Sequence, residues 1–189
     1  MHIPTHLALS WIVAHPLKER RDRSLVAWAG VLPDVDGLTI LAGLDAYGRW
    51  HHMLTHGAAA AVITATVLAF FGKHPVKVWW LSLLTFHLHL VCDLVGSGIG
   101  WPLAYWWPFA ETLYPTPYGW ELGAWQNSAS AAAVLVACGY LATQHGYSFA
   151  ETFLPKACDA KVVAALQHRF CIRPHADTAN PSPAKAVDP

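Results

Sequence analysis

The chain has 189 residues, of which 54% are hydrophobic and 13% charged, against a usual charged share of about 25%. Twelve Lys and Arg balance twelve Asp and Glu, so no field favours a nucleic acid or an acidic partner. The mean hydropathy of +0.32 is high for a soluble protein and low for a polytopic carrier, and the length fits one domain with a tail.

In chain order, "IPTHLALSWIVA" (3–14) predicts a short apolar helix, and "HPLKERRDR" a basic turn. That basic cluster follows the apolar stretch instead of preceding it, so a secretory signal is not expected. Residues 25–44 predict an apolar helix broken at Pro33-Asp34-Val35-Asp36-Gly37, because proline removes a helix donor and Asp and Gly favour caps. "DAYGRWHH" reads as a polar connection, followed by apolar helices over 57–71 and 76–95. The segment 97–123 concentrates Trp101, Trp106, Trp107, Trp120, Tyr105, Tyr114 and Tyr118, which suits a membrane interface or a lid over a site. An Ala-rich helix is predicted over 124–143 and an amphipathic one within 148–172. The domain therefore covers 1–147, and 173–189 reads as a disordered tail.

Three or four stretches approach the roughly 20 apolar residues that a bilayer of about 30 Å requires. A soluble bundle of unusually apolar helices is the competing reading. Lys18, Arg20, Arg21 and Arg23, then Lys73 and Lys77, then Lys156, Lys161, Arg169 and Arg173 fall on one side if the helices alternate. The positive-inside rule makes that side cytoplasmic, which favours a multi-pass inner-membrane protein. The connections 45–56 and 97–123 then face outward.

Histidine is the informative excess, with twelve copies, as many as all the carboxylates. His89 and Asp93 are at i and i+4, one turn apart on one helical face, so both can reach one metal; His87 points elsewhere. His52 and His56 share the same spacing, Asp34 and Asp36 flank a proline break, and His6 sits in "HLALSWIVA". A single such histidine is ordinarily a hydrogen-bonded core residue. The joint occurrence of imidazole and carboxylate in four apolar segments points instead to zinc, manganese or iron. Cys92, Cys138, Cys158 and Cys171 form no C-x-x-C pair and read as small core residues.

The ordered set "TH", "LPDVD", "HHMLTHG", "HLVCD" and "WPF", over about residues 5–109, resembles the bacterial inner-membrane metal-dependent hydrolases also described as LexA-binding. The resemblance implies a site at His6, Asp34, Asp36, His51, His56, His89 and Asp93. This chain has His52 where that family usually has Arg, Met53 for Gly and Gly57 for Ser, so the second histidine of the pair competes with His51 as ligand. The order also resembles, in part, zinc-dependent phospholipase C. The further His-x-x-x-Glu of those enzymes is lacking, and Glu111 or Glu121 would have to supply its carboxylate.

The expected fold is all-α, a compact bundle of apolar, membrane-embedded helices with a His/Asp site between them. The expected function is metal-dependent hydrolysis of a phosphoester, with a membrane lipid or another interfacial molecule as substrate. His6, Asp34, His51, His56, His89 and Asp93 would hold one to three divalent ions, zinc first. A water whose pKa the metal lowers would be the nucleophile, and Asp36 would orient that water or bridge metals. A LexA interaction follows from the family description alone. Two other classes remain: a haem-binding membrane electron carrier with axial histidines, which leaves the three aspartates without purpose, and a non-catalytic membrane scaffold.

Overall fold

In the structure, a computed structural model, residues 1–170 are described. The expected tail, Cys171 and Arg173 lie outside the described residues. Two compact units, residues 1–137 and 138–189, divide the chain. No strand occurs among the described residues, where Leu103 and Tyr114 make one isolated antiparallel bridge.

Helix α1 (Ile3–Ala14) has Pro4 in its first turn, where the missing N–H costs nothing. Helix α2 (Arg20–Ala29) starts inside the predicted basic turn, so its basic residues are helical. The two pack closely at Gly30, where a Cβ would stand 1.8 Å from Ser10 Oγ. The predicted break becomes a 3₁₀ helix over Leu32–Ala42, bent 51° from α2. Winding at 3.0 instead of 3.6 residues per turn brings side chains at i and i+2 from about 160° to about 120° apart. Asp34 and Asp36 can therefore both lean inward. The predicted polar connection contains α3 (Leu44–Trp50).

Helices α4 (Ala58–Phe71) and α5 (Pro75–Gly96) form an antiparallel hairpin. Its turn is fastened to α2. The buried carboxylate of Asp22 accepts from the backbone N–H of Lys73 (2.7 Å) and His74 (3.1 Å) and pairs with His74 Nδ1 (2.9 Å). Lys73 Nζ adds an exposed ion pair to Glu19 at 2.7 Å. The first two basic clusters thus share one end of the first unit, beside an apolar core of Ala14, Leu17, Val26 and Val78. A second core of Ala61, Phe86, Leu90 and Leu103 lies beneath the aromatic segment. Asp93 is 18 residues beyond Pro75, or about 27 Å along α5.

Buried polar side chains accompany these cores, while large apolar ones also face outward: Val62, Ile63, Val67 and Phe70 of α4 and Trp80, Leu84 and Val91 of α5 are exposed. Helix α5, at 22 residues, is long and apolar enough to cross a bilayer, and α2 with the 3₁₀ helix adds a second span if the bent pair counts as one. At 12 and 14 residues α1 and α4 fall short. Among the described residues one helix, or two if the bent pair is one span, is long and apolar enough to cross, against the expected three or four.

Helix α6 runs Trp125–His145, with the boundary between the units inside it. In the second unit, the predicted amphipathic helix is divided into a 3₁₀ turn, Phe149–Thr152, and α7, Lys156–Arg169. Ser148 joins the two, bonding Asp159 through its N–H and hydroxyl. Only Asp159 and Val163 of α7 are buried, so no broad apolar face is covered.

Candidate metal centre

Four residues from three segments converge at the end of α5 away from the basic turns. Asp34 comes from the 3₁₀ helix, His56 from the residues leading into α4, and His89 and Asp93 from α5. One ligand atom from each lies within 4.8 Å of the others. His56 Nε2 is 3.3 Å from His89 Nε2 and 3.6 Å from Asp93 Oδ2, and His89 Nε2 is 2.9 Å from that same oxygen. Asp34 Oδ1 lies 3.7 Å from His89 Nε2 and 4.0 Å from His56 Nε2. Bonds of 2.0–2.1 Å in a tetrahedral shell give ligand–ligand separations on the order of 3.4 Å. The quartet brackets that value.

Each histidine is oriented by its other nitrogen. His89 Nδ1 donates to the carbonyl of Gly30 at 2.9 Å, and His56 Nδ1 to Asp36 Oδ2 at 2.9 Å. Both therefore present Nε2 inward, the arrangement in which an outer acceptor fixes the tautomer and raises ligand basicity. Asp34 Oδ2 is buried without a hydrogen-bond partner. Burial opposes a charge on His56, yet its bonds to Asp36 and Asp93 and their negative charge outweigh this and raise its pKa to about 9. The carboxylates thus favour positive charge at this point, which a divalent cation would also supply. The donor set fits such an ion.

Of the remaining predicted residues, His6 and Asp36 stand one hydrogen bond from the quartet and His51 two. His6 Nε2 bonds Asp93 Oδ1 at 3.1 Å, and its ring lies 4.0 Å from that of His89. The same oxygen accepts from the Met1 amine (2.7 Å) and Ser97 Oγ (3.0 Å). His51 Nδ1 meets Asp36 Oδ1 at 2.7 Å while its ring stacks on Tyr47. Asp36 was expected to orient the nucleophilic water or bridge metals. Both its oxygens are engaged by imidazoles, so it positions two histidines. Between His51 and His52, neither joins the quartet. His52 is 4% exposed with φ at 66°, an uncommon region for a residue other than glycine. Its Nε2 is 3.7 Å from Asp93 Oδ2, its Nδ1 has no partner, and burial and the nearby His56 hold its pKa down to about 3. His87 turns away to Leu83 O and the Tyr105 hydroxyl. Glu111 and Glu121 are exposed and outside the quartet.

Sequence reasoning missed Ser97, Gly30 and Tyr47. Ser97, at i+4 from Asp93, carried a spacing signal; a backbone carbonyl carries none. The aromatic segment closes over the site: Ala104 N donates to His52 O (3.3 Å), Ala58 N to Tyr105 O (2.8 Å), and Trp101 lies 5.6 Å from the His51 and His52 rings. A cavity of about 660 Å³ opens beside Asp34, His52 and Asp93, a volume within the usual range for small-molecule sites.

Fold and site together define an all-helical protein with a buried His/Asp centre and an apolar exterior. The chain belongs to the YdjM inner membrane protein family, whose match covers residues 1–157. No curated protein and no solved structure matches it.

His89→Ala and Asp93→Asn are expected to abolish stoichiometric metal binding with the helices intact, whereas Asp36→Asn should weaken affinity roughly 10–100-fold. Metal content by mass spectrometry, with chelator competition, reads both. Wild-type content in His89→Ala or Asp93→Asn would remove the quartet from consideration, and wild-type affinity in Asp36→Asn would remove its positioning role.

Proposed function

We propose that this inner-membrane protein is a metal-dependent hydrolase acting on a phosphoester. The observation that carries the reading is the pair of imidazoles, His56 and His89, each held through Nδ1 by a buried acceptor and aimed through Nε2, with Asp34 and Asp93, at one point beside a cavity. When bound, a divalent ion, zinc by its donor set, supplies Lewis acidity and lowers the pKa of water toward about 7.

His56 and His89 would hold the ion through Nε2, and Asp34 and Asp93 would balance its charge. Asp36 and the Gly30 carbonyl keep the two imidazoles in the ligating tautomer. His6 and Ser97 hold Asp93 Oδ1, which leaves Oδ2 directed at the centre. His52, uncharged at neutral pH, adds no repulsion toward the ion. The phosphoester class rests on the partial resemblance of the order of His and Asp along the chain to that of zinc-dependent phospholipase C. A haem carrier would use imidazole alone, yet both inward imidazoles have two carboxylates within 4.0 Å, which favours the hydrolytic reading.

The site end lies about 27 Å along α5 from the fastened basic end. With that basic end cytoplasmic, the centre opens to the extracytoplasmic face. In a Cys-depleted background, Cys introduced at Tyr47 should react with an impermeant thiol reagent in intact cells and Cys at Lys73 should not. The reverse pattern would move the centre to the cytoplasmic side.

Zinc-loaded protein should hydrolyse bis(p-nitrophenyl) phosphate, lose that turnover in chelator and regain it on zinc addition. His89→Ala should lower it at least about 100-fold, a loss of the order reported for transition-state charge stabilisers. Fully loaded protein that turns over neither this diester nor p-nitrophenyl phosphate would contradict the proposal.

A further inference from the structure

The main cavity changes character from floor to rim. Asp93 and His52, 2% and 4% exposed, lie at its depth, whereas Ile3, Leu38 and Leu122 at its rim are 53%, 62% and 45% exposed. Along the chain from Leu38, Leu41 and Leu44 are 85% and 78% exposed. In a family of inner-membrane proteins, an apolar rim of this kind stands where lipid chains can cover it, and water-exposed patches of such side chains otherwise mark interaction sites.

A second cavity, about 300 Å³, shares His51, His52 and Trp101 with the first, and Arg49 and Glu111 are among its other lining residues. One chamber thus has an apolar exit. The other offers both signs of charge. They adjoin at the two histidines beside the centre, with Trp101 as the common wall.

We infer that the site takes an amphiphilic phosphodiester. Its phosphate sits at the centre, its hydrocarbon chain leaves across Ile3, Leu38 and Leu122 into the bilayer, and its polar head group occupies the smaller cavity near Arg49 and Glu111. A free phosphate or a water-soluble diester would leave the rim without a partner. The inference rests on the metal-centre reading for the phosphate and stands on the cavity walls for the chain.

The test uses the full chain, zinc-loaded in nanodiscs, and a photoreactive dodecylphosphocholine with a diazirine near the end of its alkyl chain. Crosslinks are expected in peptides containing Leu38 and Leu122. Unlabelled dodecylphosphocholine should compete at least tenfold better than glycerophosphocholine, inorganic phosphate or dodecyl maltoside. The double variant Leu38→Glu/Leu122→Glu should lose at least fivefold of the labelling at unchanged zinc content. Equal competition by inorganic phosphate would make this a free-phosphate site and overturn the inference. Equal competition by dodecyl maltoside would overturn it in favour of non-specific chain binding. So would crosslinks spread over α4 and α5 that the double variant leaves unchanged. If rim labelling with the expected competition persists in protein that binds no zinc and hydrolyses no diester, the hydrolase reading falls and the amphiphile site stands.

Discussion

A carboxylate held away from water at the end of an apolar helix is the constraint around which the first unit is organised. Asp93 is 2% exposed, and an ionised carboxylate in such a place costs several kcal/mol unless cationic or hydrogen-bonding groups compensate it. Its two oxygens divide the task. Oδ1 gathers the Met1 amine, Ser97 and His6, and Oδ2 faces His89, His56 and His52. Most of these partners are imidazoles, which accept a proton or a metal interchangeably through the same lone pair. That interchange links the stability of the bundle to the chemistry proposed for it.

The surrounding scaffold serves to aim those imidazoles. Gly30 lets α1 approach α2 at Ser10, and its carbonyl takes the outer nitrogen of His89. The 3₁₀ winding after Pro33 turns Asp34 to the centre and Asp36 to the outer nitrogens of His51 and His56. At the opposite end Asp22 fastens the α4–α5 turn to α2 through two backbone N–H groups. With the hairpin fixed there, the position of His89 and Asp93 relative to the 3₁₀ helix follows from helix geometry.

The legible part of this site was the part with helical periodicity. His89 and Asp93 at i, i+4 share a face in any α-helix, and the structure keeps them on one. His87, two residues earlier, was legible as pointing elsewhere for the same reason. Asp34 and Asp36 were legible as a pair beside a break, but their division between ligand and positioning roles was not, because it depends on a 3₁₀ winding that no residue pattern specifies. His51, His52 and His56 were harder still. His52 adopts a positive φ, so helical spacing within "HHMLTH" misleads, and the residue that reaches the centre is decided by the turn. Helix existence was readable from apolar runs, and so were α1 and α4, predicted over 3–14 and 57–71 and found at 12 and 14 residues; the apolar runs overstated only how many stretches are long and apolar enough to span.

The central claim is that two imidazoles and two carboxylates hold one divalent ion beneath the aromatic segment. X-ray absorption at the zinc edge of the zinc-loaded, membrane-reconstituted protein tests it most directly. The account predicts a shell of nitrogen and oxygen at about 2.0–2.2 Å, with two imidazoles, oxygen from the carboxylates and at least one exchangeable water oxygen, and no sulfur. A sulfur ligand at about 2.3 Å, pointing to a thiolate such as Cys92, or a loaded protein that retains no zinc, would contradict it.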